Sequence, residues 1–333
     1  MTLHQVPQNR DLGADFEYID LNPAEDIWWQ QAVAGMQLQP KSVAPKFFYD
    51  QAGSWLFERI TQLPEYYLTR AETSLLQKNA PEIAQALGSD CELVEFGCGN
   101  SAKIFYLLSA LERPRGYLAI DISREPLLEL CAKVAAAHPE LPVQGLRADF
   151  SDFLNLPKVN GRSERKVIFF PGSSIGNFDP EDAVKFLAHA RETAGSGGSL
   201  LIGIDLKKDK EVLEPAYDDA QGITAMFNKN LLARLNRECG ANFKLEAFRH
   251  RAFYNEAAGR IEMHLESLQS QTIRIFDEKL VFAAGETIHT ENSYKYRVQE
   301  FQDLAARAGW TPERVWLDSA KLFSVHLLRG ERA

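Results

Sequence analysis

Cysteine is scarce and scattered. The chain holds Cys91, Cys98, Cys131 and Cys239, with no C-x-x-C pair, which argues against a zinc site or a disulfide framework. Positive charge is also short: Lys and Arg number 37 against 46 Asp and Glu, a net charge of −9. That balance disfavours a nucleic-acid backbone or an anionic membrane as the main partner, because both attract basic surfaces. No apolar run approaches the length of a bilayer span. The opening MTLHQVPQNRDLGADFEY lacks the basic region and apolar run of a secretory signal. A cytoplasmic protein is expected, without nucleic-acid or membrane partners and monomeric. The histidines, His4, His138, His189, His250, His264, His289 and His326, show no metal-ligand spacing, so no metal is expected. Internal repeats and low-complexity tracts are absent apart from the short glycine-rich turn AGSGGSL (194–200).

What is present is enough apolar sequence for a full core, with 45% hydrophobic and 11% aromatic residues among 333. From residue 91, short apolar runs alternate with helical patterns. CELVEFGCG reads as a strand ending in a glycine turn. SAKIFYLLSAL places Ile104, Leu107, Leu108 and Leu111 at i, i+3, i+4 and i+7 of a helix,. GYLAIDIS, VQGLRADF, KVIFFPGSSIGN and GSLLIGIDL continue as strands between helical REPLLELCAKVAAAH and PEDAVKFLAHARETA. Repeated βα units predict a doubly wound parallel α/β sheet. After Asp205 the pattern changes to a helix over DDAQGITAMFNKNLLARLNREC. GRIEMHLESLQSQTIRI and KLVFAAGETIHTENSYKY then alternate like one antiparallel hairpin. A helix with Val298, Phe301, Leu304 and Ala305 on one side and two final strands close the chain. The division that follows is a sheet domain of 71–207 with 296–333, and a smaller α+β lobe of 15–70 with 208–295. A cleft between lobes is where a ligand is expected.

The loop VEFGCGNSA (94–102) closes the first of these strands and opens a helix. Gly97 and Gly99 permit a tight turn and close approach of backbone to a ligand. The spacing fits a dinucleotide fingerprint equally well. Glu95 before Gly97, and Asp149-Phe150 ending the third strand, favour an adenosyl ligand held by an edge carboxylate and an aromatic face. Asp121, ending the second strand, suits ribose hydroxyls under either reading.

One further stretch, TIHTENSYKY (287–296), has no apolar face. Read as a strand, it sends His289, Glu291, Ser293 and Lys295 one way and Thr290, Asn292, Tyr294 and Tyr296 the other,. Taken alone it is a solvated edge.

The E-x-G-x-G turn, the Asp-ended second strand and the Asp-Phe of the third resemble class I S-adenosylmethionine-dependent methyltransferases, with LFSVHLLRG as that Rossmann-like fold's reversed edge hairpin. FFPGSSIGNF (169–178) stands where nucleic-acid amino methyltransferases carry an Asn/Asp-Pro-Pro-aromatic stretch, which again disfavours DNA or RNA. FYDQAGSWLFERITQLPEYYLTRAE (48–72), FFPGSSIGNF, AYDDAQGITAMFNKNLLARLN (216–236) and RIEMHLES (260–267) resemble the histidine-specific Nα-methyltransferases of ergothioneine biosynthesis, over the chain from about residue 40.

That resemblance implies Nα-trimethylation of L-histidine to hercynine, with S-adenosylmethionine as methyl donor. By position it gives Tyr66, Asn177 and Tyr217 the amino-acid end of histidine, with Gly172 nearby, and it sets Tyr49 beside the reacting amine. Met263 flanks the imidazole, and Glu291 with Ser293 bonds the imidazole nitrogens. Glu95, Gly97, Gly99, Lys103, Asp121, Asp149 and Phe150 form the donor site. Each residue also has a plainer reading. Tyr66 and adjacent Tyr67 suit a core, Asn177 an Asx turn, Tyr217 a helix-face packing residue, Met263 strand filling and Lys103 solvent. Tyr294 stands where the family often has a smaller residue, and alternation turns it away from Glu291 and Ser293. No strong general base is evident, so catalysis by positioning is expected, with Tyr49 assisting. Aromatic faces of Phe48, Tyr49, Tyr66 and Phe178 are candidates to stabilise a quaternary ammonium product. The alternatives are an Nα-methyltransferase of another aromatic amino acid such as a tryptophan derivative, an NAD-dependent oxidoreductase, or a non-catalytic S-adenosylmethionine-binding protein.

Overall fold

The computed structural model describes residues 15–21, 28–99, 103–150 and 165–330. Residues 1–14 of the N-terminal stretch read for a leader and residues 100–102 of the glycine loop lie outside them. Up to residue 96 the chain forms β1 (Glu17–Asp20), α1 (Trp28–Gln37), β2 (Lys41–Ser42), α2 (Gln51–Thr61), α3 (Tyr67–Leu87) and β3 (Glu92–Phe96). Next come α4 (Lys103–Ala110), β4 (Gly116–Asp121), α5 (Arg124–Ala137), β5 (Val143–Arg147), β6 (Lys166–Phe170), α6 (Pro180–Ala194) and β7 (Ser199–Asp205). Then follow α7 (Lys210–Leu213), α8 (Ile223–Cys239), β8 (Phe248–Asn255), β9 (Arg260–Ser267), β10 (Gln271–Ile275) and β11 (Glu278–Phe282). The last are β12 (Thr287–Tyr294), α9 (Val298–Arg307), β13 (Trp310–Leu317) and β14 (Phe323–Gly330). No described helix is long and apolar enough to cross a membrane.

These elements divide into two compact units. The larger comprises described residues 15–21, 68–207 and 296–330, the smaller 28–67 and 208–295. The larger holds an eight-stranded sheet in the order β1-β5-β4-β3-β6-β7-β14-β13. Its pairs are parallel through β7, and β14 runs antiparallel to both β7 and β13. This is the doubly wound sheet that the βα alternation predicts, with the reversed hairpin that the family resemblance implies. Every residue of β3 and β7 is buried, as strands covered on both faces require. In α4 the predicted stripe of Ile104, Leu107 and Leu108 faces inward.

β1 corrects the boundary expected from the sequence. Residues 15–21 belong to the larger unit, not the smaller lobe, because Glu17–Asp20 pairs in parallel with Gln144–Arg147. Arg147 reaches Asp20 Oδ2 at 3.3 Å. The four residues EYID are too short and too polar to announce a sheet strand by periodicity.

Two buried carboxylates shape the larger unit. Glu72, 1% exposed, takes Lys103 Nζ at 2.5 Å on Oε2 and the Gly172 N–H at 3.0 and 2.8 Å on its two oxygens. A Cβ on Gly203 would lie 2.0 Å from Glu72 Oε1, so β7 needs glycine there. Glu95 accepts the Tyr117 hydroxyl at 2.5 Å, and its Oε1 is buried without a hydrogen bond. Burial pushes the Glu95 carboxyl up to about 8, against the lowering effect of the Tyr117 bond.

In the smaller unit a four-stranded sheet runs β2-β12-β9-β8, with β10 and β11 paired separately. The single long hairpin expected from the sequence is therefore two nested ones, β9 with β12 enclosing β10 with β11. Turns at each end of the inner pair interrupt an alternation that otherwise reads straight through. Asp50 caps α2 by accepting the Gly53 N–H at 2.7 Å, and the same oxygen receives Asn230 Nδ2 at 2.7 Å. Asp219 caps α8 through the Ile223 and Thr224 N–H groups at 3.0 and 2.7 Å. The polar residues within two of the unusual motifs are thus helix starts.

Two measurements check this packing. Gly203→Ala should displace the Glu72 carboxylate and cost about 1–3 kcal/mol, as overpacked cores do, read as a lowered denaturant midpoint. Glu95 binds its proton more tightly folded than unfolded, so wild-type stability should fall as pH rises from the ordinary carboxylate range through about 8,. Glu95→Gln should lose that slope, and melting curves that stay parallel between acidic and alkaline pH would contradict the assignment.

Candidate active site

In the smaller unit a concave space is lined by Phe57, Ile60, Tyr66, Ala216, Tyr217, Thr224, Phe227, Met263 and Glu291. Met263 and Glu291 are cross-strand partners on β9 and β12, and Ser293 pairs with Ile261. Cross-strand partners share a face, so Glu291, Ser293 and Met263 stand on one wall. Tyr66 meets the Tyr217 and Phe57 rings edge-on, each at 6.2 Å between centroids. Tyr67 is engaged elsewhere. Its hydroxyl accepts Lys208 Nζ at 2.7 Å, and the cation stands 4.6 Å from the ring centroid.

Tyr49 follows a single 3-10 turn, Pro45–Phe48. Its ring packs on Phe57 and Phe227 at 5.7 and 5.6 Å, two residues that line the space. Phe48 is core, packed on Phe227 at 4.7 Å and fully buried, so no face of it is open to a cation. Phe178, in the larger unit, stacks on Phe186 at 5.3 Å.

Tyr217 touches both ends of the site, its ring against Tyr66 and its hydroxyl on the β12 wall. Its hydroxyl lies 2.7 Å from Ser293 Oγ, and both oxygens receive Lys295 Nζ at 2.8 Å. Tyr217 therefore links Ser293 to Tyr66 within one site. Its backbone is fixed from behind: Asn228 Nδ2 donates to His250 Nδ1 at 2.9 Å, leaving His250 Nε2–H to donate to the Tyr217 carbonyl at 2.8 Å. Burial holds His250 below the usual imidazole range, consistent with that neutral tautomer.

The β12 strand carries a second correction. Its register against β9 shifts between His289 and Glu291, a bulge at Thr290, whose hydroxyl turns to the Met263 carbonyl at 3.0 Å. One inserted residue reverses the face of everything before it. His289 thus pairs with His264, away from Glu291 and Ser293. Tyr294 does face away as alternation predicts, with Arg260 Nη1 on its hydroxyl at 2.7 Å.

Histidine spacing gives no hint of a metal. Among the described residues, Glu262, His264 and His289 bring potential ligand atoms within 4.8 Å of one another. The His264 and His289 rings stack at 4.6 Å and 12°, and His264 Nε2 lies 3.0 Å from Glu262 Oε2.

The larger unit carries the residues assigned to the methyl donor. Gly97 and Gly99 have φ of +66° and +51°. The Gly97 N–H bonds the Ile120 carbonyl at 2.8 Å. A Cβ on Gly97 would meet Phe150 at 3.3 Å, whereas Gly99 has open space there. Asp121 Oδ2 accepts the Gly99 N–H and Oδ1 the Ser123 N–H, both at 2.8 Å. Each oxygen keeps acceptor capacity for a ribose hydroxyl, so the arrangement fits an adenosyl ligand. Asp149 adjoins Phe150, whose ring packs with Phe96 and Phe170 at 6.1 and 5.7 Å. Lys103 is not solvated: it is buried against Glu72. Glu95 is likewise turned to Tyr117. Gly172, at φ +80°, spends its N–H on Glu72, and Asn177 closes the short 3-10 turn Ser174–Asn177.

Lys295 and Glu72, both central to these contacts, carry no sequence signal beyond their motifs. A buried lysine within a polar strand is indistinguishable by pattern from an exposed one.

A family profile described as histidine-specific, S-adenosylmethionine-dependent methyltransferase matches residues 29–330. The histidine N-alpha-methyltransferase of Mycolicibacterium smegmatis is 40% identical over 316 residues, covering 93% of this chain and 97% of that protein. Ergothioneine biosynthesis protein 1 of Neurospora crassa is 32% identical, over 88% of this chain and 34% of its own length. A 4-dimethylallyltryptophan N-methyltransferase of Claviceps purpurea is 26% identical, over 92% of this chain and 96% of that protein. With its donor-site turn, its polar-walled cavity and a match across nearly all of its length, the chain belongs to the histidine-specific, S-adenosylmethionine-dependent methyltransferases.

Proposed function

We propose that the protein transfers methyl groups from S-adenosylmethionine to the α-nitrogen of L-histidine three times, yielding hercynine for ergothioneine synthesis. The observation that carries this reading is the wall on which Glu291 and Ser293 stand with Met263, in a cavity otherwise lined mainly by apolar and aromatic side chains. An imidazole offers one N–H and one bare nitrogen, and a carboxylate beside a hydroxyl complements both. A phenyl ring would leave the Glu291 carboxylate unpaired, which is costly in such a cavity, and an indole, whose single N–H could reach Glu291, offers no bare nitrogen to Ser293.

S-adenosylmethionine supplies a methyl group on a sulfonium, and Gly97, Gly99, Asp121, Asp149 and Phe150 are the residues proposed to hold it. Glu95 and Lys103 act one step back, through Tyr117 and Glu72. The histidine amine must present a neutral lone pair in line with the methyl, so positioning supplies most of the acceleration. Tyr66 and Tyr217, with Gly172 and Asn177 by family position, are proposed for the amino-acid end, and the Tyr49 phenol for orienting the amine and passing on its proton. The Tyr49 and Tyr66 faces suit the fixed positive charge of the product. No step is assigned to a metal. The enzyme is taken to be a cytoplasmic monomer, in keeping with its acidic charge.

Incubation with S-adenosylmethionine and the twenty amino acids, followed by mass detection, should give trimethylated histidine and little else. Accumulation of monomethylhistidine alone would contradict the threefold transfer. Glu291→Ala should lower kcat/KM for histidine roughly 10–100-fold, the worth of a charge-assisted hydrogen bond. The S-adenosylmethionine affinity should stay unchanged. Histidine turnover indifferent to this substitution would remove the imidazole assignment.

A further inference from the structure

Lys295 is 1% exposed, and its ammonium is aimed at the two hydroxyls of the substrate wall. Nζ lies 2.8 Å from Ser293 Oγ and 2.8 Å from the Tyr217 hydroxyl, and 4.7 Å from the Tyr217 ring centroid. The two hydroxyl oxygens are 2.7 Å apart. We propose that Lys295 is a positioning residue that fixes the polarity of the imidazole-reading pair, making the Ser293 hydroxyl a donor and keeping Glu291 an acceptor. This rests on the reading that Glu291 and Ser293 bond the substrate imidazole.

Donor counting decides the polarity. A hydroxyl has one proton and two acceptor sites, and an ammonium can only donate. Lys295 fills one acceptor site on each hydroxyl, and of the two the phenol is the stronger acid and so the better donor. When Tyr217 donates into the other site on Ser293, the Ser293 proton can only turn outward, to a ligand. A neutral imidazole then fits in one tautomer, its bare nitrogen on Ser293 and its N–H on Glu291. Without the ammonium, Ser293 regains an open acceptor site, and the wall no longer distinguishes donor from acceptor.

The charge of Lys295 acts on Glu291 as well. Burial pushes the Glu291 carboxyl up to about 7, and Lys295 is the charge that opposes it. The other titratable groups lining the cavity are the phenols Tyr66 and Tyr217. Met263 from β9 and Thr224 and Phe227 from α8 do not titrate. Glu262, His264 and His289 belong to the opposite face of the sheet.

The test compares wild type, Lys295→Met, Lys295→Arg and Glu291→Gln, measuring histidine kcat/KM from roughly pH 6 to 9, where a raised carboxyl titrates. Donor affinity by calorimetry serves as the control. Methionine removes a buried charge and leaves Tyr217 and Ser293 to bond each other, so the fold should survive. Lys295→Met should lose about tenfold or more in kcat/KM near neutrality, mainly through KM, as the loss of a charge-assisted bond implies. That deficit should shrink as pH rises and Glu291 ionises without help. Lys295→Arg should restore the wild-type acidic limb. The titrations of histidine itself are common to all variants and cancel in the ratios.

A Lys295→Met deficit constant with pH, or an arginine variant no better than methionine, would overturn the inference by reducing Lys295 to packing. Should Lys295→Met fail to bind the donor, the arginine profile decides: an unmoved acidic limb supports the proposal and a displaced one overturns it. If Glu291→Gln matched wild type, the imidazole reading itself would fall, a result separate from any outcome at Lys295.

Discussion

Inside the larger unit, Glu72 has no water to turn to, so each of its oxygens must find a donor within the protein. It finds them in Lys103 at the head of α4 and in the backbone of Gly172 after β6, and it occupies the space Gly203 leaves open on β7. The head of α4 and the residues that follow β6 are therefore held by one carboxylate from α3. Remove either partner and a buried charge is stranded, which costs more than the pair contributes. The placement of the glycine turn, of Asp121 against Gly99 and of the 3-10 turn bearing Asn177 all presuppose that contact.

The smaller unit solves the same problem with a cation. Lys295 is satisfied by two hydroxyls, and Tyr217 is pinned from its backbone side by His250, which Asn228 fixes in one tautomer. A chain of side chains from the back of the sheet to its cavity wall thus leaves little freedom at Ser293. Such preorganisation is what a site needs when it must tell an imidazole from rings of similar size.

Much of this is legible in the sequence, and the failures have physical causes. The βα alternation from residue 91 announces the parallel sheet, since strands buried on both faces read as unbroken apolar runs. β1 escapes because an edge strand of four residues, two of them acidic, borrows its stability from β5 and its Arg147, far away in sequence. Glu291 and Ser293 fall on a common face because their spacing survives in the register, whereas His289 is misplaced by a bulge that no pattern of two announces. Met263 and Tyr66 rest on family likeness, and packing puts both at the cavity. Lys103 and Glu95 read as ligand contacts, and nothing in the pattern of the sequence announces that burial also pairs them with Glu72 and Tyr117. Lys295 goes unmarked because nothing local distinguishes a lysine that will be buried.

β14 is the final strand in order, but it lies between β7 and β13 in the sheet. During synthesis, β7 must therefore wait with an open edge until residues 323–330 have left the ribosome. Such an edge is a template for pairing with another chain. The larger unit is thus a fold whose interior closes last, and its nascent form should depend on shielding of β7 until then.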